Sequence, residues 1–407
     1  MSIYVPGLRG SGDWGVDERP KSFRETILFL EPNGSAPLTA LMGQTSSESV
    51  TDPEFSWWEE TMQQARVRLA AAVPDGVATT FTLDAQGAFD VAGTGGFSLV
   101  PGELLMVEDP SGAIGATEII EVVAVTSDTE IVVRRGAAGS TPGAIADNVW
   151  LLSIGTAFEE GSAAADAVTK NPTKFKNFAQ IFKTSYEITE TAKATKVRTG
   201  DPVKTDKKRK MFDHANKMEY AYLFGRASEV AGAKGKPKRT TGGALEFIKS
   251  NVTNFSGGGT AFTEDNFIDA FSPVFDYSGE GASNTRICFA GNQALTNLNK
   301  LARDSASSRI NFDQVVELYG MKLQRWIVPQ GELLIKTHPL FNTHPVYSKS
   351  MIGLNMKGTV DRTLRATKFQ DGIQQPGADL QKGQWLTESG LELHHEQTHF
   401  YLSNMVA

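Results

Sequence analysis

The stretch TDKKRKMFDHANKMEYAYLFGRASEV, residues 205–230, decides the architecture because it reads as one long helix. Met211, Ala215, Met218, Tyr222 and Gly225 recur at i, i+4, i+7, i+11 and i+14, with Asp213, His214, Asn216 and Lys217 mostly between them. That spacing is an amphipathic stripe. Nothing interrupts the run before Gly225, and Gly232 followed by Pro237 supplies a stop. At about 1.5 Å per residue the helix is roughly 35 to 40 Å long, enough to brace a domain. Four cations, Lys207, Lys208, Arg209 and Lys210, crowd its first turns. There the helix dipole disfavours positive charge by about a few tenths of a kcal/mol each. They point either to an anionic partner or to a solvated basic end.

A chain of 407 residues has room for two or three domains and a real core. Hydrophobic content of 40% and charged content of 21% exclude a disordered chain, while 39 Gly and 17 Pro call for many turns. A net charge of -7 argues against a protein whose main task is to grip nucleic acid, so any such contact is expected to be local and weak. The single cysteine, Cys288, rules out an intrachain disulfide framework, and its place in the apolar run RICFAG predicts a buried thiol. The N-terminus MSIYVPGLRGSGDWG lacks a secretory pattern, and no apolar run reaches the roughly 18 residues of a membrane span. A soluble, unexported chain in a reducing compartment is expected.

Residues 1–50 mix Gly, Pro, Ser and Asp around one apolar patch, Thr26–Leu30, and predict an extended arm that orders on something else. Then come Phe55 and the adjacent Trp57 and Trp58, read as core or interface anchors. From about Asp75 to Leu152 short runs rich in β-branched and aromatic residues (FTL, FSLV, ELLMVED, TEIIEVVAVTS, EIVVRR, VWLL) alternate with turn residues. They predict an inserted all-β module of about 75 residues. NFAQIFKTSYEITETA has strand character and leads through the polar linker KVRTGDPVKT into the long helix, while KGKPKRTTGG after it reads as a basic linker. Thr263 caps a helix over TEDNFIDAFSPVFDY, the strand RICFAG precedes a second helix in GNQALTNLNKLARDS, and VVELYGMKLQRWIVP pairs with GELLIKTHPLF. Strands near MIGLNMKG and LELHHEQTHFYLSNM close an α+β chain.

One string has catalytic flavour: His395-Glu396-Gln397-Thr398-His399 matches H-E-x-x-H. On a helix the two histidines share a zinc and the glutamate activates its water. GLELHHEQTHFYL is rich in strand formers, however, and on a strand residues four apart are separated by about 13 Å and cannot share one metal. A strand without zinc is therefore expected. Lys236 is followed by Pro237 where a phosphate loop needs Ser or Thr, no Gly-x-Ser-x-Gly elbow occurs, and His214, His338 and His344 form no recognisable triad spacing. No catalytic residue, metal site or cofactor is expected.

The layout as a whole resembles the tailed-phage major capsid proteins with the Hong Kong 97-type fold. The residues that carry the resemblance are NFAQIFKTSYEITETA, the basic start and long body of TDKKRKMFDHANKMEYAYLFGRASE, RTTGGALEFIKSN and RICFAGNQALTNLNKL. The order of elements matches nearly throughout, and VVRRGAAGSTPGAIADN resembles turn-rich elements in β-modules of phage structural proteins. The resemblance implies an N-terminal arm at 1–50 and an extended loop at 51–195 carrying the β-module at about 75–153. It further implies a peripheral domain with the spine helix at 196–240, an axial domain at 241–345 and a return to the peripheral domain over 346–407.

The resemblance implies a structural subunit that self-assembles through pentamers and hexamers into an icosahedral head around double-stranded DNA. Portal, scaffold or decoration proteins would be further partners, with no membrane involved. No coiled-coil or protease-like segment precedes the arm, so no cleaved N-terminal scaffold is expected. The virion is the implied location, after synthesis in the host bacterial cytoplasm. A tail or decoration protein is the second reading and a zinc hydrolase the third.

Overall fold

The computed structural model describes residues 37–45, 47–60, 66–85, 98–108, 117–163, 171–197, 200–255, 261–277, 284–304, 314–318, 321–328 and 330–406. The described backbone forms two units, one from the residues up to Trp57 and from Lys176 onward, the other from Trp58 to Phe175. A two-stranded ribbon of β2 (Glu54–Glu59) and β9 (Thr173–Phe178) runs through the boundary. Among the described residues no helix is long and apolar enough to cross a membrane.

The first unit contains a four-stranded sheet in the order β1 (Ser47–Ser49), β19 (Thr359–Gln370), β20 (Leu380–Leu393) and β10 (Gln180–Thr189). On it lies α3 (Pro202–Phe224), the long helix. Its 23 residues span about 34 Å. It starts earlier than the stripe suggested, because the carboxylate of Asp201 accepts the amides of Val203 and Lys204 and Pro202 occupies the first helical position. It also ends earlier. Gly225 is the cap, where any Cβ would strike the carbonyl oxygens of Ala221 and Thr241.

The expected stripe is rotated as well. Met211 is 54% exposed, and the inward set is His214, Met218, Glu219, Tyr222 and Leu223. The tail of the expected helix and the expected linker instead form a hairpin, β11 (Ser228–Ala231) with β12 (Pro237–Thr240).

A seven-stranded sheet follows, in the order β13 (Val252–Asn254), β21 (Phe400–Ser403), β18 (Met351–Leu354), β14 (Thr285–Ala290), β17 (Gly331–Thr337), β16 (Met321–Val328) and β15 (Gln314–Leu318). Central β14 is covered on both faces, which explains its unbroken apolar run. Ile287 and Phe289 face a core shared with Tyr222, Leu223 and Leu391, while Cys288 and Ala290 face a second core with Phe267, Phe271, Trp326 and Phe400. Burial pushes the Cys288 thiol well above its usual range, as expected of a structural cysteine. Helices α5 (Glu264–Phe271, capped by Thr263) and α6 (Asn292–Asp304) stand where the sequence put them, as does the β16–β17 pair. Short helices α2 (Glu190–Ala194), α4 (Ala244–Phe247) and α7 (Pro339–Asn342) complete the unit.

The expected arm and loop differ from the structure in two places. Residues 1–36 lie outside the described residues, but α1 (Pro37–Thr45) is helical, with Leu38 and Met42 buried in the core under α3. Likewise β10, assigned to the extended loop, pairs with β20 along its whole length, from Gln180↔Ser389 to Thr189↔Leu380. The final segment serves both sheets, β19 and β20 in one and β18 and β21 in the other.

The second unit is a six-stranded antiparallel sheet in the order β3 (Arg66–Arg68), β8 (Trp150–Thr156), β5 (Glu103–Val107), β6 (Ile119–Ser127), β7 (Glu130–Arg134) and β4 (Thr80–Thr82), somewhat wider than the expected 75–153. Val67, Leu69, Phe81, Leu105, Ile120, Val122, Ile131 and Leu151 form its own core. The turn-rich stretch after β7 is held by a buried ion pair, Arg135 Nη2 to Glu118 Oε2 at 2.6 Å. Glu118 also accepts the amides of Gly136 and Gly143, and Arg135 donates to the Asp75 carbonyl. Burial alone would raise the Glu118 pKa, but Arg135 and the two amides hold it below the ordinary carboxylate value.

Candidate functional site

The H-E-x-x-H segment is a tight turn and not the expected strand. β20 ends at Leu393, His395 takes a left-handed φ of 52°, and Glu396–Thr398 make one 3-10 turn before β21. The reversal is forced because the chain passes here from the four-stranded to the seven-stranded sheet. Its polar groups are engaged in folding. Glu396 Oε2 accepts the amides of Lys249 (2.9 Å) and Ser250 (3.0 Å), and its Oε1 accepts the Ser250 hydroxyl. Asn251 Nδ2 donates to the carbonyls of Gln397 and His399, and Arg286 Nε donates to that of Thr398.

His399 is fully buried, with Nδ1 accepting the Asn355 amide at 3.2 Å and Nε2 3.1 Å from the His394 carbonyl. The first contact requires a bare Nδ1, so the proton is on Nε2 and the ring is neutral. Burial drives its pKa down to about 3. Both ring nitrogens and both carboxylate oxygens are thus committed to the chain itself, and a zinc would have to displace these bonds.

The basic cluster sits one turn farther into α3 than expected. Lys207 is the sixth helical residue, beyond the first turn where the dipole acts. Lys207 Nζ is 3.2 Å from Asp371 and 4.3 Å from the centroid of Phe369. Arg209 pairs with Asp206 at 3.8 Å and Lys210 with Asp213 at 3.5 Å. Lys208 is exposed and has no ion pair among the described residues.

Trp57 and Trp58 separate by strand alternation. Trp57 is buried against Phe247 at 5.7 Å, near His394 and Phe55. Trp58 is 63% exposed, with Lys174 Nζ 5.8 Å from its ring.

Two buried hubs went unread in the sequence. Glu219, fully buried on α3, accepts the amides of Leu38 (2.8 Å) and Thr39 (2.7 Å), the Thr39 hydroxyl, and His338 Nε2 at 2.8 Å. His338 Nδ1 accepts the Leu340 amide, so Nε2 carries the proton that it gives to Glu219. One carboxylate on α3 therefore caps the first turn of α1. The signal was an acid inside the inward stripe, between Met218 and Tyr222. Asn177 is the second hub: its Nδ2 reaches the carbonyls of Gly242 and Leu391 and Oγ1 of Thr241, while its Oδ1 accepts from Gly242 and Phe178.

The inward face of α3 is thus pinned by polar contacts as much as by packing. His214 lies between Thr184 and Thr387, at 3.2 and 2.8 Å. The Tyr222 hydroxyl is 2.7 Å from both Asp361 and Ser389, and Trp385 Nε1 donates to the Lys207 carbonyl. Burial raises the Asp361 pKa and lowers that of His214. The arrangement braces α3 against the four-stranded sheet.

The major capsid protein of Pseudomonas phage PaMx41 is 32% identical over 351 residues, covering 84% of this chain and 78% of that protein. Among solved structures, the capsid of an empty GTA particle matches with a TM-score of 0.50 at 9% identity, covering 95% of this chain and 96% of the other. The capsid of Myoviridae phage XM1 matches at 0.43 and 8% identity, covering 94% and 96%. The fold is the α+β, Hong Kong 97-like capsid fold. The family model for SU10 major capsid protein matches residues 10–406, so the chain belongs to that family and is a phage major capsid protein, a subunit of the icosahedral shell.

Proposed function

We propose that this chain is a purely structural tile, without a catalytic step of its own, that closes the virion shell through pentamers and hexamers around double-stranded DNA. The observation that carries the reading is the extent of the family match: residues 10–406 all fall within one capsid-protein family. The engagement of Glu396 and His399 in backbone hydrogen bonds supports it. The subunit is made in the host bacterial cytoplasm, and portal, scaffold or decoration proteins are its further partners. In this scheme the spine is α3, the peripheral plate is the four-stranded sheet, the axial part is the seven-stranded sheet, and the second unit is carried by the extended loop.

Trp58, a large exposed ring on that loop, is assigned to contact with a neighbouring copy. Lys208 is the member of the basic cluster assigned to an outside anion, either DNA or an acidic patch. Mass photometry of the purified chain tests the capsomer stage. Species near five and six times 44.1 kDa, about 220 and 265 kDa, are expected; a chain that stays at 44.1 kDa under all salt, pH and concentration conditions contradicts it.

A further inference from the structure

All of β11 and the first two residues of β12 are exposed, and Val230 is 53% exposed. A lone two-stranded hairpin is only marginally stable in water. This one is held by its own contacts, Arg239 to Glu229 at 2.6 Å, Ser228 to Thr240 at 2.7 Å, and Gly232 N to the Lys236 carbonyl at 2.7 Å. The register sorts its side chains. Ser228 opposes Thr240 and Val230 opposes Lys238 on one face, while Glu229 opposes Arg239 on the other. Arg239 is thereby neutralised. Lys234 and Lys236 at the tip and Lys238 beside Val230 have no ion pair among the described residues.

Residues 226–240 hold Arg226, Lys234, Lys236, Lys238 and Arg239 against Glu229, a net charge of +4. The chain totals -7, so the remainder carries -7 - 4 = -11. A small cationic projection on a strongly acidic body is complementary to a second copy of that body.

We propose that this hairpin is a basic prong that docks on an acidic surface of a neighbouring copy of the chain. The proposal rests on the shell-subunit reading, in which each copy meets several others. A protein partner fits better than DNA because the prong offers Val230 and two strand edges that are unpaired among the described residues, beside its lysines. Such a surface can bury apolar area and add main-chain hydrogen bonds. Phosphate recognition would use neither.

The test combines the full chain with a charge-reversed variant, K234E/K236E/K238E, and a charge-keeping one, K234R/K236R/K238R. All three positions are exposed, so melting temperatures should stay within a few degrees of the parent. Sedimentation should show at least a tenfold loss of assembled material for the reversed variant. The Arg variant should assemble, and parent assembly should weaken as salt rises. Carbodiimide coupling of parent particles mixed from isotope-labelled and unlabelled chain, read by mass spectrometry, should join Lys234, Lys236 or Lys238 of one copy to Asp or Glu of another, a result independent of whether the variant folds.

Normal particles from the reversed variant would overturn the proposal, and so would the absence of those couplings. Normal particles that retain less nucleic acid would overturn it in favour of DNA. Failure of the parent to assemble at all would instead strike the shell-subunit reading itself.

Discussion

Single residues in this subunit bear loads that their chemical types would have suggested for catalysis. His399 is the clearest case, because its neutral form is built into the turn between the two sheets. The unfolded chain takes up a proton there near pH 6.5, whereas the fold resists it down to about pH 3. The stability from this group is therefore complete above pH 6.5 and declines as the pH falls toward 3, by about 1.4 kcal/mol per pH unit. Urea titrations of the unassembled chain at pH 7, 6 and 5 should show this decline, and His399→Gln should be less stable at pH 7 but lose stability less steeply. Equal slopes in the two proteins would remove His399 from the account.

Glu219 makes a second residue-scale case. In Glu219→Gln an amide NH2 would face a donor from Leu38, Thr39 or His338, leaving a buried conflict worth roughly 2 to 3 kcal/mol. Hydrogen exchange should then show residues 38–42 losing protection before the strands of the seven-stranded sheet do. Unchanged protection at Leu38 and Thr39 would mean that the carboxylate is not what holds α1.

At the scale of elements, the long helix is positioned by its ends and by its polar underside. Asp201→Ala removes a cap and should cost about 1 kcal/mol. Gly225→Ala, whose Cβ meets two backbone oxygens that cannot both retreat, should cost about 2 kcal/mol or more. Denaturant midpoints that rank the two substitutions the other way would show that close packing at the helix C-terminus matters less than its cap.

The existence of α3, α5, α6, β14 and the β-module was legible because each has a strong local period or an unbroken apolar run. The start of α3 was missed: Asp201-Pro202 is a cap followed by a first-turn proline, but it lies inside KVRTGDPVKT, whose polar composition reads as a linker. β19 and most of β20 were not legible: TVDRTLRATKFQ looks like a solvated loop until Arg362 meets Glu392 and Arg365 meets Glu388 across the sheet. Charge pairs between residues 23 and 30 apart replace the hydrophobic alternation on which strand recognition depends. The turn at 396–398 was hidden for a related reason, because its flanks are strand formers and only the passage between two sheets requires a reversal there.

For the molecule as a whole, the second unit has a core that, among the described residues, is built from its own side chains between Val67 and Leu151. Residues 58–175 expressed alone should therefore melt cooperatively with a strand-rich circular dichroism spectrum. A featureless melt would mean that this core needs the rest of the chain.

Whether the whole chain tiles a closed shell is read from electron cryomicroscopy of the chain expressed in bacteria, alone and with the neighbouring structural proteins of its phage. Closed icosahedral particles are expected, with averaged density that shows α3 lying on the four-stranded sheet in pentamers and hexamers alike. Particles whose shell density is a different polypeptide, with this chain confined to a tail or to the outer surface, would contradict it.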